Sequence, residues 1–316
     1  MFNIKTENEF NQIALETFHF QYENLDLYGE FVNYLKVNPK EVNHFEAIPF
    51  LPIEMFKNHD LLIGDSFEKA FTSSGTTGPN KSKHYIKDLS IYDTSFLKAF
   101  DLFYGDLAKY CIIGLLPSYL EKEGSSLIHM VDMLIKKSGH VNSQFCLSLT
   151  DDLLAIMKDP NQSCLVFGVT YALLDLAEEN KGPFPNTVFL ETGGMKGRRK
   201  EMIKSELHAV LKSGLNTGRI HSEYGMTELL SQAYSLEKGL FDCPPWMKVL
   251  IREVQDPLTL RKDTKTGGIN VIDLANRYSC SFIATKDLGR IHSNGQFEIM
   301  GRFDHSDIRG CNLLLS

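Results

Sequence analysis

A chain of 316 residues with 43% hydrophobic and 23% charged content has the make-up of a globular protein with a large core. Its formal net charge of −7 argues against a general nucleic-acid binder, which needs a basic surface. No run of about 18 apolar residues offers a membrane span, and the start Met1-Phe2-Asn3-Ile4-Lys5-Thr6-Glu7 lacks the basic and apolar regions of a signal peptide.

Length suggests roughly two domains, or one large domain with a lobe. Spaced apolar positions over 7–36 (Phe10, Ile13, Ala14, Phe18, Tyr22, Leu25) predict helix, broken by the prolines of Ile48-Pro49-Phe50-Leu51-Pro52. Tyr110–Leu116 reads as a buried strand ending at Pro117. Cys164–Phe167 is a second, followed by Gly168 and a helix near 170–179. Thr187–Leu190 is a third, followed by Gly193-Gly194 and a helix from about Arg199 to Leu211. This alternation predicts an α/β fold with parallel-rich sheets, whose ligands sit at the carboxyl ends of the strands. Trp246–Arg252 and Ile269–Leu274 read as strands, and Leu288–His292 and Gln296–Met300 flank the hairpin signal Asn294-Gly295. The expected organisation is an N-terminal helical segment over 1–70 packed on the core, an α/β core over 71–236 and a β-rich lobe over 237–316. The cysteines at 111, 146, 164, 243, 280 and 311 form no CxxC pair, which argues against zinc and disulfides and for the cytoplasm.

Residues 72–81 read Thr-Ser-Ser-Gly-Thr-Thr-Gly-Pro-Asn-Lys. Ser73, Ser74, Gly75, Thr76, Thr77 and Gly78 offer backbone N–H groups and small hydroxyls with little bulk. Consecutive N–H groups in such turns make concave anion sites, and Lys81 adds a point charge for a phosphate. The Gly-Lys-Ser/Thr ending of a Walker P-loop is absent. The same run also reads as ordinary surface-turn chemistry.

Three later segments join this loop: His221-Ser222-Glu223-Tyr224-Gly225-Met226-Thr227-Glu228, Thr285-Lys286-Asp287-Leu288-Gly289-Arg290, and Gly301-Arg302-Phe303-Asp304-His305-Ser306-Asp307-Ile308-Arg309-Gly310. In this order the four segments, which span 72 to 310, resemble the adenylate-forming superfamily of acyl-CoA synthetases, luciferases and peptide-synthetase adenylation domains. Pro117-Ser118-Tyr119-Leu120, Glu191-Thr192-Gly193-Gly194-Met195-Lys196-Gly197-Arg198-Arg199 and His305–Cys311 resemble more closely the acyl-protein synthetase (LuxE-type) family. That family includes the long-chain fatty acid ligase of the bacterial bioluminescence fatty-acid reductase complex.

The resemblance implies ATP and Mg²⁺ as cofactors and a carboxylic acid, in that family a fatty acid, as substrate. The loop at 72–81 would hold the β- and γ-phosphates with Lys81 as counter-charge. Thr227 would contact the α-phosphate and Glu228 would hold Mg²⁺, which suits a carboxylate plus phosphate oxygens. Asp287 would accept from the ribose hydroxyls, and Arg302, which follows the hairpin, is read as part of the same nucleotide site. Gly193, Gly194 and Met195 would lie against the adenine, with Tyr224 as a stacking face beside Gly225. Each residue has a plainer alternative. Glu228 reads also as a helix N-terminal acid, Asp287 as a turn residue, Arg302 as a surface charge, and His221 as a buried, hydrogen-bonded histidine. The basic cluster Lys196, Arg198, Arg199 and Lys200 reads as a solvated helix start.

By the same resemblance, Cys311 would attack the acyl-adenylate and hold the acyl group as a thioester. The apolar Asn312-Leu313-Leu314-Leu315 leaves open that it is simply packed away. Members of the wider superfamily continue into a mobile domain with a catalytic lysine. The printed chain reaches Ser316 without one, so the expectation is that this domain is largely absent. The reading is therefore ATP-dependent acid activation with transfer to a protein thiol, serving an acyl reductase or acyl-transfer protein. Its rivals are an acyl- or aryl-CoA ligase resembling phenylacetate-CoA ligases, and a non-catalytic nucleotide-binding subunit of a reductase complex.

Overall fold

The computed structural model describes residues 1–73, 81–117, 124–193 and 202–303. Helix α1 (Glu7–Asn24) starts at Thr6, whose hydroxyl accepts from the Glu9 N–H while the Glu9 carboxylate accepts from the Thr6 N–H. The helical stretch read over 7–36 is two helices. Leu25 takes an extended backbone (φ −114°, ψ 93°), ending α1 and opening α2 (Asp26–Tyr34). The short strand β1 (Leu51–Pro52) and helix α3 (Met55–Asn58) follow, then the hairpin β2 (Lys69–Thr72) and β3 (Lys83–Ile86).

The α/β architecture is present, with the parallel strands forming one half of a mixed sheet. In chain order it comprises α4 (Leu89–Tyr104), β4 (Cys111–Leu115), α5 (Ser126–Ser138), β5 (Gln144–Cys146), α6 (Asp151–Lys158), β6 (Cys164–Val169), α7 (Thr170–Glu178), β7 (Thr187–Thr192), α8 (Lys204–Leu215) and β8 (Ile220–Tyr224). Strands β5-β4-β6-β7-β8 are all parallel neighbours. Every residue of β4, β6 and β7 is buried, as expected for strands covered on both faces. Helices flank both faces of β8. His221 reaches Tyr104 at the end of α4, and its neighbour Ser222, pointing the other way, reaches His208 of α8.

The remaining strands are β9 (Ala233–Glu237), β10 (Leu240–Asp242), β11 (Met247–Arg252), β12 (Gly267–Asp273), β13 (Phe282–Ile291) and β14 (Phe297–Arg302). They do not form a separate sheet. Antiparallel pairing runs β8-β9-β10-β14-β13-β12-β11, so the parallel and antiparallel halves are one continuous sheet. The Asn294-Gly295 turn closes the β13–β14 hairpin as read, with Gly295 at φ +87°. β13 begins six residues earlier than the sequence pattern suggested, because Phe282–Ala284 pair with β12, and Ile283 and Ala284 pair with β1 as well.

Gln21 docks α1 onto the turn between β12 and β13. Its fully buried amide turns its two N–H groups toward the Asn276 and Arg277 carbonyls and Ser281 Oγ, each 3.0 Å away, and its oxygen accepts from the Ser281 N–H at 3.0 Å. Gln21→Ala removes this whole set. With about 1–3 kcal/mol lost per buried polar group left unpaired, urea unfolding should show stability lower by at least about 2 kcal/mol. A change within about 0.5 kcal/mol, the range of an unremarkable surface substitution, would contradict this docking role.

Candidate functional site

Parallel strands end on one edge of the sheet, and there the chain sets Gly193 after β7 and Tyr224-Gly225-Met226-Thr227-Glu228 across the end of β8. Gly193 takes φ +74°, a conformation that favours glycine, and its carbonyl accepts from Thr170 Oγ1 at 3.2 Å. Gly225 sits against the Glu223 carboxylate, which a Cβ at this position would have to push aside.

Strand β13 reaches the same place. Tyr224 Oη donates to Asp287 Oδ2 at 2.8 Å, and Arg302 Nε lies 3.1 Å from Asp287 Oδ1. Asp287 and Arg302 are direct partners across the β13–β14 ladder, so register alone brings the ion pair together. Beneath them the buried Arg252 donates to the carbonyls of Ile269 and Thr285, both at 2.6 Å, and to Asn270 Oδ1 at 2.9 Å. The Tyr224 ring packs edge-on against Phe241 and Phe297.

The β2–β3 hairpin supplies a third wall. Ser73 and Ser82 close its base, with the Ser73 N–H on the Ser82 carbonyl and the Ser82 N–H on Ser73 Oγ, both at 3.0 Å. Lys81 stands exposed beside this base. The Ser82 hydroxyl lies near enough to the Glu228 carboxyl to favour its charged form, and His84 Nδ1 lies 2.8 Å from the Thr227 carbonyl. The base of the Ser/Thr/Gly loop is therefore tied directly to the Thr227–Glu228 segment.

Burial governs the charges here. It raises the Glu228 carboxyl above the ordinary range, opposed by the Ser82 hydroxyl and by the Lys57 and Arg302 cations. It also raises Asp287, opposed by Arg302, the Tyr224 hydroxyl and Arg252. Burial pushes the His84 imidazole down to about 4, so the ring is neutral at ordinary pH. His221 is likewise pushed down to about 4 by burial; it is half-buried, stacks on Tyr104 and lies 3.3 Å from the Tyr104 hydroxyl through Nδ1.

Of the residues read from the sequence, Ser73, Lys81, Gly193, Tyr224, Gly225, Thr227, Glu228, Asp287 and Arg302 are described. Ser74, Gly75, Thr76, Thr77, Gly78, Gly194, Met195, Cys311 and the cluster Lys196–Lys200 lie outside the described residues. Sequence reasoning missed Ser82, His84, Arg252, Asn276 and the acidic pair Glu191 and Glu223. Burial would raise the fully enclosed Glu191, but the Lys204 ammonium, His208 and Ser222 outweigh it and bring it down to about 2. Glu191 and Glu223 stood inside segments singled out for other residues. Ser82 and His84 alternate along a strand close to Lys81, a weak signal that could have marked them.

Glu223 points to the opposite face from Glu191. Thr192 Oγ1 donates to it, and burial pushes its carboxyl up to about 7. The folded protein thus holds this proton over a window in which the unfolded chain releases it. The stability of the neutral form is complete below the ordinary carboxylate range and is lost as pH rises through about 7. Glu223→Gln keeps an acceptor for Thr192 and cannot ionise. At about 1.4 kcal/mol per pKa unit, urea unfolding should find it more stable than wild type by about 1–3 kcal/mol near pH 8, with the gap closing toward about pH 5. A gap independent of pH would contradict the assignment.

No protein-family profile and no curated protein matches the chain. Solved structures do. ATP-bound MatB from Rhodopseudomonas palustris is 13% identical with a TM-score of 0.55, covering 74% of this chain and 47% of that one. An open conformation of 2-hydroxyisobutyryl-CoA ligase, in complex with 2-HIB-AMP and CoA, is 10% identical with a TM-score of 0.67, over 95% of this chain and 70% of that one. The luciferase-like enzyme from the nonluminescent Zophobas morio mealworm is 15% identical with a TM-score of 0.50, over 77% and 60%. The chain spans about half the length of the MatB structure it matches. At these identities the likeness is one of fold: the described chain has the fold of the N-terminal domain of adenylate-forming enzymes.

Proposed function

We infer that this chain activates a carboxylic acid with ATP as an acyl-adenylate and passes the acyl group to a protein thiol, its own Cys311. The observation that carries the reading is the meeting of three distant segments at one sheet edge. The base of the 73–82 loop, the Tyr224–Glu228 run and the Asp287–Arg302 pair are joined by Ser82–Glu228, His84–Thr227 and Tyr224–Asp287 contacts. Those segments bear the residue types that the chemistry needs.

A carboxylate and ATP are both anionic, so their approach requires charge neutralisation and fixed positions. Lys81 and the N–H groups of the adjoining loop serve the β- and γ-phosphates. Asp287 serves the ribose. A carboxylate has about four acceptor sites, and Tyr224 and Arg302 use two, which leaves room for a pair of ribose hydroxyls. Glu228 fits a cation that arrives on a nucleotide. Among the described residues no three His, Cys, Asp or Glu gather into a protein cage, and Mg²⁺ is commonly held by one or two carboxylates plus phosphate oxygens. Mg²⁺ would lower the charge barrier at the phosphates. The acid's oxygen attacks the α-phosphorus and pyrophosphate leaves. The Cys311 thiolate then attacks the acyl carbon and AMP leaves. A reductase or acyl-transfer protein would be the next acceptor.

A second reading, a ligase acylating coenzyme A, is favoured by the fold shared with a CoA ligase over 95% of this chain. One experiment decides between them. Incubated with ATP, Mg²⁺ and a panel of fatty, aromatic and amino acids, the protein should release pyrophosphate with at least one acid. With that acid labelled, wild type should gain a hydroxylamine-labile label. Cys311→Ser should lose the label while still releasing pyrophosphate. Acylated coenzyme A with no protein label would favour the second reading, and a folded protein inert toward every acid would overturn both.

A further inference from the structure

Thr227 and Glu228 are held from behind by two side chains that no reading of the nucleotide site requires. His84 and Asn276 are both 1% exposed. His84 Nδ1 lies 2.8 Å from the Thr227 carbonyl oxygen. A carbonyl cannot donate, so the proton sits on Nδ1, and Nε2 of the neutral ring is an acceptor. Asn276 Nδ2 donates to the Glu228 carbonyl at 2.7 Å and to the Cys280 carbonyl at 3.0 Å. The carbonyls of residues 227 and 228 belong to the two peptide planes on either side of the Glu228 Cα. Fixing both planes fixes the backbone torsions of Glu228, and with them the direction of its side chain.

At their other ends neither side chain meets a protein group in hydrogen-bond geometry, although Asn276 lies near enough to His84 to oppose the effect of burial on the ring. His84 Nε2, Asn276 Oδ1 and Ser279 Oγ are three of the four such buried atoms among the described residues, and the three residues line one pocket with Lys87, Asp88 and Tyr278. Unpaired acceptors are costly in a core. An apolar side chain at 84 or 276 would avoid that cost; it would lose the grip on the two carbonyls and, at 276, the bond to the Cys280 carbonyl as well.

We propose that His84 and Asn276 are positioning residues for Glu228, a paired clamp that presents its carboxylate ready-aimed to the cation on the nucleotide. What the carboxylate serves rests on the acid-activation reading; the clamp itself does not. Groups that orient a metal ligand from outside the coordination shell typically matter by 10–100-fold in metal affinity or activity.

Two measurements test it. In His84→Leu, the Mg²⁺ concentration for half-maximal pyrophosphate release should rise about 10–100-fold, while ATP affinity measured without divalent metal stays within about 3-fold. His84→Asn, which returns an N–H near the Nδ1 position, should recover most of that loss. Should His84→Leu fail to fold, Asn276→Asp keeps the shape, removes the donor and is read in the same way. Unchanged Mg²⁺ demand in a folded variant would overturn the clamp. So would a parallel loss of metal-free ATP binding that His84→Asn does not restore. Independently of activity, the ¹⁵N spectrum of histidine-labelled wild type should show His84 protonated on Nδ1 and bare on Nε2; the reverse tautomer would overturn the clamp. If no acid elicits pyrophosphate from wild type, the acid-activation reading falls and the ¹⁵N spectrum still decides the clamp.

Discussion

The Asp273 carboxylate joins the two halves of the sheet at the point where the candidate site is built. It is fully buried at the end of β12, and its oxygens accept from the N–H groups of Leu230, Ser231 and Ala275 and from Ser231 Oγ, at 2.6–3.1 Å. Burial pushes its carboxyl up to about 6, against these four donors. Leu230 and Ser231 follow directly on the Tyr224–Glu228 run. Ser231 Oγ also meets Ser95 Oγ of α4 at 3.1 Å, and Ser95 accepts from Trp246 Nε1 at 3.0 Å. One buried acid thus fixes the exit of the loop that leaves β8 against both the helical layer and the antiparallel strands. Without it, Thr227 and Glu228 would have an anchored start and a loose end.

The site that results is a set of buried polar groups whose mutual bonds only partly offset their desolvation. Glu228, Asp287 and Glu223 are all raised by burial. Such groups lower stability on their own and gain when a ligand of opposite charge arrives, which is why perturbed carboxyls gather where chemistry is done. The neighbouring cations are arranged differently. Arg302 is 71% exposed at the side chain, whereas Arg252 is held beneath Asp287 by two carbonyls and an amide. The exposed cation caps Asp287 from the solvent side and the buried one ties together strands β11, β12 and β13 beneath it.

Much of the fold was legible because buried parallel strands write themselves as apolar runs. Cys111–Leu115, Cys164–Val169 and Thr187–Thr192 were read within a residue or two, since covering on both faces leaves no polar positions to blur the signal. Asn294-Gly295 was legible because that turn demands a positive φ. The break at Leu25 was not, because the apolar spacing continues through it and only the local backbone changes. The α8 start was read too early: the basic residues from Lys196 suggested a helical turn, while the described helix begins at Lys204, whose ammonium pairs with the buried Glu191. Within the site, Asp287 and Arg302 were legible as separate residues, but their pairing is a consequence of register. His84 and Asn276 were invisible for a related reason. Their partners are backbone carbonyls 143 and 48 residues away, which impose no residue type on the far end of the bond.

The central claim is that this sheet edge holds an acyl-adenylate. A crystal structure of the protein with a hydrolysis-resistant acyl-sulfamoyl adenosine tests it most directly. The account predicts both ribose hydroxyls on the Asp287 carboxylate, and the sulfamoyl group, standing in for the α-phosphate, at Thr227. A folded protein that binds the analogue elsewhere, or with its ribose away from Asp287, would contradict it.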